Sequence, residues 1–293
     1  MITKYKARKA SGERLKKNDF EHIFTELRKV ANHPLLSRHH YGPDLLKIII
    51  DYTWRAGVWG GEARREQVEE EVSGLSDKDL HELCEQYPTL RPHALPRELV
   101  GGGSCKLVRL RKLLPQLSAD GHRMLVFSQW TTMLDLLEEL CEDLLMPYRR
   151  LDGSTAVSER QEMVDEFNTD ESIKIFLLST RAGGLGLNLT GADTCVFHDL
   201  DFNPQNDRQA EDRCHRLGQT RPVTIYKLVS ENSVDSKIAE IAANKVKFAD
   251  RALNEAKGAV AAAGAGDEEE LGEAGNTLAL KDVLSEALKG VMD

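Results

Sequence analysis

The sequence has 293 residues, of which 41% are apolar and 30% are charged, and its formal net charge is −9. This length and apolar fraction suffice for one large globular domain or two modest ones, each with its own core. No stretch approaches the ~18 consecutive apolar residues of a membrane-spanning helix, and the first ten residues lack the apolar core of a secretory signal. We therefore expect a soluble protein without a membrane partner.

The acidic residues are concentrated in two stretches. Residues 62–87 carry nine acids against three bases, and residues 267–293 carry eight against two. The rest of the chain is slightly basic. The net charge therefore does not exclude a nucleic-acid groove, because counterion release depends on local Lys and Arg.

The five cysteines lie far apart and form no C-x-x-C pair, which is typical of reduced thiols in the cytosol or nucleus. They are Cys84, Cys105, Cys141, Cys195 and Cys214. We expect no metal site in this chain.

The chain divides by composition into three parts. Residues 1–100 are polar and strongly charged and predict a small, mostly helical N-terminal subdomain, which a flexible joint at 101–103, GGG, connects to the next part. Residues 101–250 alternate apolar runs with helical patterns and predict one α/β domain. Residues 251–293, rich in Ala, Gly and Glu, predict an acidic, disordered tail.

Four apolar runs in the middle part predict buried strands. They are MLVFS at 124–128, KIFLLS at 174–179, TCVFHD at 194–199 and VTIYKLV at 223–229. Their β-branched and aromatic content, with longer helical patterns between them, indicates a parallel sheet covered by helices on both faces.

Basic residues are clustered at 208–220, RQAEDRCHRLGQT. If residues 204–217 form a helix, Gln209, Arg213 and Arg216 share one face, because they are spaced by four and then three. Two guanidiniums on one face suit a polyphosphate whose charge spreads during transfer. The alternative is a solvated helix in which neighbouring acids pair with the arginines.

A glycine-rich turn follows the predicted strand at 174–179. The segment 179–193, STRAGGLGLNLTGAD, has three glycines within four residues, and Thr180 and Arg181 add a hydroxyl and a charge beside them. Backbone N–H groups without neighbouring Cβ atoms can converge on an anion. The alternative is a tight turn with no ligand.

Four motifs occur in the order known from one family. MLVFSQW, RLDGSTAVSER, LLSTRAGGLGLNL and DRQAEDRCHRLGQT resemble the second RecA-like (P-loop NTPase-like) lobe of superfamily two translocases, specifically the SWI/SNF-related chromatin remodellers. The resemblance runs from about residue 23 to about residue 247. ANHPLLSRHHY and the cysteine in DRCHR resemble the SMARCAD-type branch. Phe202 departs from the family pattern, which commonly has Trp in D-W-N-P.

The resemblance implies roles for particular residues. Arg213 and Arg216 would be arginine fingers that reach ATP on the opposite lobe, with Gln209 orienting the site, and Gly184 and Gly186 would lie near the nucleotide. The DNA-binding residues would be Gln129, Gly153, Ser154, Thr180, Arg181 and Phe202. Lys106, in a segment resembling the family's S-G-K-L turn, would touch nucleotide or DNA, or else be solvated.

The resemblance also implies an ATP-dependent double-stranded DNA translocase that acts on nucleosomes in the nucleus. Such an enzyme needs a Walker A motif, G-K-T or G-K-S, and a D-E-x-H-type motif for Mg²⁺, and the sequence contains neither. We expect ATP and Mg²⁺ to be held mainly by an N-terminal RecA-like lobe, in cis or in trans. This chain alone should therefore be inactive.

Two other functions remain open from the sequence. The acidic stretches could attract basic histone tails, which would make the chain a non-catalytic histone-binding or partner-binding module. An RNA helicase lobe usually reads H-R-x-G-R where this chain has HRLGQ, so Gln219 weighs against that class.

Overall fold

The computed structural model describes residues 17–183, 186–215 and 218–260. The helices are α1 (Lys17–Asn32), α2 (Pro43–Arg55), α3 (Arg65–Gly74), α4 (Asp77–Gln86), α5 (Arg97–Gly102), α6 (Cys105–Ala119), α7 (Thr131–Asp143), α8 (Val157–Thr169), α9 (Thr180–Gly183), α10 (Pro204–Glu211) and α11 (Val234–Val260). The strands are β1 (Met124–Ser128), β2 (Tyr148–Leu151), β3 (Ile175–Ser179), β4 (Thr194–Phe197) and β5 (Thr224–Lys227). None of the helices in these ranges is both long and apolar enough to cross a membrane.

The five strands form one sheet in the order β2-β3-β1-β4-β5, and every neighbouring pair is parallel. The three central strands are buried along their whole length. Burial on both faces explains why their sequences are continuous apolar runs without polar alternation.

Helices cover the sheet on both faces. On one face α1, α8, α10 and α11 pack against strand residues that include Phe127, Phe176 and Phe197. On the other face α6 and α7 pack against residues that include Val126 and Leu177. The predicted α/β class, with helices on both sides of a parallel sheet, is confirmed.

The N-terminal helices have a smaller core of their own. Helices α2, α3 and α4 bury Ile49, Val72 and Leu80 against one another. Lys78 joins this core to the sheet domain, because its buried ammonium pairs with Glu82 and with Glu139 of α7. Helix α1, in contrast, belongs to the core of the sheet.

Several features differ from the sequence predictions. Strand β5 was expected to be buried, but it is an edge strand whose four residues are exposed or half-buried. Strand β2 was not predicted, since Arg149 and Arg150 interrupt any apolar run. Residues 101–103 form a helix end where a flexible joint was expected: α5 includes the first two glycines, and the N–H of Gly103 donates to the Leu99 carbonyl at 3.1 Å. Helix α11 continues to Val260, past the expected start of the tail, and residues 261–293 lie outside the described residues.

Candidate functional site

A polar cleft of about 970 Å³ lies where the parallel strands end. Because all five strands run the same way, their carboxyl ends share one edge of the sheet, where α/β proteins usually bind ligands. Strand β1 leads into Gln129, β2 into Gly153 and β3 into Thr180. The residues lining the cleft are Arg28, Gln129, Trp130, Thr131, Gly153, Ser179, Thr180, Arg181, Asp201, Asn206 and Gln209.

Three hydrogen-bond donors of this cleft are buried and have no partner in the part of the chain that the structure describes. They are Nε2 of Gln129, Nε1 of Trp130 and Oγ1 of Thr180. A buried polar group left unpaired costs roughly 1–3 kcal/mol, so three on the residues that line one cleft favour a ligand that accepts hydrogen bonds.

Two guanidiniums give the cleft a positive side. Arg181 is exposed, and neither Arg181 nor Arg28 forms an ion pair with a carboxylate among the described residues. The one acidic lining residue, Asp201, has both carboxylate oxygens engaged, since they accept from the Asn203 N–H and the Asn206 amide. The cleft therefore suits an anion.

Buried Asp199 fixes the end of β1 at this cleft. Its carboxylate accepts from the backbone N–H of Gln129 at 3.0 Å and from the hydroxyl of Ser128 at 2.6 Å. Burial raises the pKa of Asp199, although these two hydrogen bonds and the charge of Lys106 oppose the change. Gln129 and Trp130 thus leave the strand from an anchored position.

Two predicted DNA-binding residues lie beside the cleft without lining it. Ser154 is exposed, but its N–H and hydroxyl both donate to Oδ1 of Asp152, at 2.8 and 2.6 Å. Phe202 is half-buried against Phe24, with ring centroids 4.9 Å apart. The other four predicted DNA-binding residues all line the cleft.

The predicted helix at 204–217 is wrong in its length. Helix α10 ends at Glu211, and the following residues form a turn in which the N–H of Arg213 bonds the carbonyl of Ala210 at 3.1 Å. Cys214, in this turn, is buried in the sheet core beside Ala210. Gln209 therefore faces the cleft, while Arg213 lies beyond the helix.

The turn that contains Arg213 contacts the loop that follows the glycine-rich turn. The carbonyl of Arg213 accepts from the N–H of Leu189 at 3.4 Å. Gly186, in the same loop, is exposed and has a φ of +82°, a conformation that favours glycine. Gly184 and Arg216 lie outside the described residues.

Gln219 ties these two segments together. Its amide nitrogen donates to the carbonyl of Ala192 at 2.7 Å and also approaches the carbonyls of Thr190 and Cys214, at 3.3 and 3.4 Å. The residue that distinguishes this chain from the H-R-x-G-R pattern thus has a structural contact here.

Both sequence interpretations of Lys106 are wrong. The side chain is 3% exposed, and its three ammonium protons meet three acceptors: Oδ1 of Asn32 at 2.8 Å, the carbonyl of His198 at 2.7 Å and Oδ2 of Asp235 at 2.5 Å. Lys106 therefore neither reaches the cleft nor is solvated. It joins four segments inside the fold.

Asp207, on α10 beside the cleft, makes stability depend on pH. Burial, opposed by a hydrogen bond from the Asp201 N–H, raises its pKa from 3.8 to about 7. The folded state therefore holds a proton that the unfolded chain releases near pH 4, and stability falls as the pH rises from about 4 to about 7. Asp207→Asn should remove this loss and stabilise the protein by on the order of 2 kcal/mol at pH 8.

Urea unfolding of Asp207→Asn and the unmodified chain between pH 4 and 8 measures this difference. The gain should grow up to pH 7 and then level off. A gain that is the same at pH 4 and pH 8 would show that the folded and unfolded states bind the proton equally, and so that the pKa of Asp207 is not raised.

Comparison with known proteins agrees with the fold. Residues 105–218 match the model of the helicase conserved C-terminal domain. The chain is 50% identical to Protein CHROMATIN REMODELING 19 of Arabidopsis thaliana over 232 aligned residues. These residues make up 79% of this chain and 30% of that protein. The chain is 42% identical over 241 residues to the Homo sapiens SWI/SNF-related matrix-associated actin-dependent regulator of chromatin subfamily A containing DEAD/H box 1, which covers 82% and 23%.

A solved structure shares the fold. The crystal structure of the C-terminal part of the Fun30 ATPase domain aligns with a TM-score of 0.70 and 37% identity, over 75% of this chain and 72% of that one. The chain spans about a quarter of the length of the curated relatives that it matches. The chain belongs to the helicase C-terminal domain family, in the SMARCAD-type branch of the SWI/SNF-related chromatin remodellers, and its sheet is the RecA-like lobe of that family.

Proposed function

We propose that this chain is the second RecA-like lobe of an ATP-dependent double-stranded DNA translocase that remodels nucleosomes, and that the cleft holds the phosphate backbone of DNA. The cleft itself is the supporting observation: within the described ranges it has three buried unpartnered donors and two guanidiniums that lack a carboxylate partner. Phosphate oxygens accept hydrogen bonds and carry negative charge, so they match both properties.

The donors favour the backbone of DNA over its bases. Hydroxyl, amide and indole donors read no sequence when they meet phosphate, and such contacts fix the position of a protein on a duplex. A translocase passes every sequence in turn, so a grip on phosphate suits it. We therefore assign Gln129, Gly153, Thr180 and Arg181 to DNA, with Ser154 and Phe202 adjacent to that site.

The described residues do not fit Mg²⁺, because no group of three or more His, Cys, Asp or Glu side chains among them could hold a metal ion. We infer that Mg²⁺ and most of ATP are held by a first RecA-like lobe, in cis or in trans. ATP, when bound there, supplies the phosphoryl transfer, and Arg213 and Arg216 offer positive charge to it while Gln209 orients the site. Gly186 and Gly184 have no side chain, so they let the backbone approach that nucleotide closely. This chain alone is then inactive.

The names of the relatives support chromatin as the place of action. Both curated relatives are named for chromatin, so we assign nucleosomes, with their DNA and histones, as partners and the nucleus as the location.

Arg181→Ala tests the cleft directly. The variant should bind duplex DNA several-fold more weakly, and the slope of log Kd against log salt should fall by about 1, because one phosphate contact is lost. Fluorescence anisotropy over a salt series measures both. Arg221→Ala is the matched control, since Arg221 is exposed and bonds Asp193 at the amino-terminal edge of the sheet.

The two variants separate the proposals. Unchanged affinity and slope in Arg181→Ala would contradict a DNA site in this cleft and favour the histone-binding module. Equal losses in Arg181→Ala and Arg221→Ala would indicate attraction by overall charge only.

A further inference from the structure

Resting on the proposed function, we propose that Arg28 of α1 is a positioning residue of the DNA-backbone site: it holds the Gln129 side chain so that its amide NH₂ faces the phosphate. Helix α1 lies outside residues 105–218, the segment that matches the helicase model. It nevertheless forms one wall of the cleft, because Arg28 lines it.

The geometry of Arg28 is specific. Its Nη2 donates to Oε1 of Gln129 at 2.8 Å and to the carbonyl of Leu200 at 3.0 Å. Its guanidinium also lies over two aromatic rings, 5.7 Å from the centroid of Trp130 and 5.9 Å from that of Phe202. Two hydrogen bonds and two ring contacts fix the guanidinium from several sides.

The chemistry of the guanidinium decides how the amide of Gln129 is turned. Arginine has five N–H donors and no acceptor, so only the carbonyl oxygen of the Gln129 amide can face it. The amide NH₂ must then point away from Arg28, and Nε2 is buried without a partner among the residues that the structure describes. A flipped amide would place two donors against each other and offer an acceptor to the phosphate.

The same contacts account for Phe202. Phe202 packs on Phe24 of α1, with ring planes inclined by 43°, and its ring contacts the guanidinium of Arg28. In this chain the aromatic residue at the family's Trp position therefore serves the positioning of α1, and needs no indole N–H for that purpose.

A double-variant cycle on the whole chain tests the inference, with anisotropy on a short random-sequence duplex at low salt. Gln129→Ala should weaken binding about tenfold, the value expected for one charge-assisted hydrogen bond. Arg28→Ala should weaken it at least as much. The double variant should bind about as weakly as Arg28→Ala alone, because the two residues act through one contact.

Gln129→Glu separates positioning from folding. The carboxylate keeps an acceptor for Arg28, so the melting temperature should not fall. The donor is gone and a negative charge takes its place beside the phosphate, so DNA binding should weaken at least tenfold. Arg28→Lys, which keeps the charge and a donor, should recover part of the affinity lost in Arg28→Ala. Binding by Gln129→Glu at the level of the unmodified chain would overturn the inference.

The outcomes distinguish this inference from the function on which it rests. If Arg181→Ala weakens binding while the losses of Arg28→Ala and Gln129→Ala multiply in the double variant, only the positioning role of Arg28 is wrong. If the unmodified chain does not bind duplex DNA, or Arg181→Ala leaves binding unchanged, the DNA site and the positioning role are both overturned.

Discussion

Arg213→Ala, made in a protein that carries both RecA-like lobes, is expected to reduce DNA-stimulated ATP hydrolysis by about a thousandfold, the effect of losing an arginine finger. Duplex binding should change little, because Arg213 follows α10 and does not line the cleft. Steady-state hydrolysis with and without DNA, together with anisotropy, measures the two effects separately.

Arg208→Ala provides the matched control for this experiment. Arg208 is an exposed arginine in the last turn of α10 and forms no ion pair among the described residues. Its removal should leave hydrolysis close to the unmodified rate. Turnover retained in Arg213→Ala, or lost equally in both variants, would contradict the arginine-finger role.

Lys106→Ala should lower the free energy of unfolding by about 3–5 kcal/mol, the cost of breaking a buried ion pair. The lysine is the only cation that pairs with Asp235 among the described residues, and the carboxylate of Asp235 is itself 7% exposed. Removing the lysine leaves an uncompensated charge, and it also leaves the Asn32 amide oxygen and the His198 carbonyl without their donor. Urea unfolding measures the loss.

Lys112→Ala is the control on the same helix. Lys112 is an exposed lysine of α6, so its replacement should change stability by less than about 0.5 kcal/mol. Equal small losses in the two variants would show that Lys106 is solvated in solution. A Lys106→Ala protein that fails to accumulate, beside a normal Lys112→Ala protein, agrees with the prediction.

Apolar runs predicted the central strands because those strands are buried on both faces. Strand β2 was not predicted because it lies at the edge of the sheet, where only Leu151 of its four residues is buried. Its arginines are neutralised by acids from the helices on each side: Arg149 pairs with Glu166, and Arg150 pairs with Asp135. Such long-range ion pairs leave no periodic signal in the sequence.

Several residues that the motifs singled out line the cleft, but Arg28, which lies outside the motifs, was missed. Family resemblance assigned Gln129 and Thr180 to DNA, and both line the cleft. The family resemblance did not indicate Arg28, because the sequence does not distinguish one arginine of an amphipathic helix from a solvated charge. Only the structure shows that Arg28 contacts Gln129 at the end of β1. Lys106 was misread for the same reason: its carboxylate partner is far away in the sequence.

The pairing of Lys106 with Asp235 also bears on how the lobe is made. During synthesis at ~5–20 residues per second, Asp235 leaves the ribosome roughly ten seconds after Lys106. Until then helix α6 carries a lysine whose burial lacks its carboxylate partner. A fragment cut at the limits of the family match, 105–218, would lack Asn32, β5 and Asp235 together. A fragment that keeps all the partners of Lys106 therefore extends from α1 into α11.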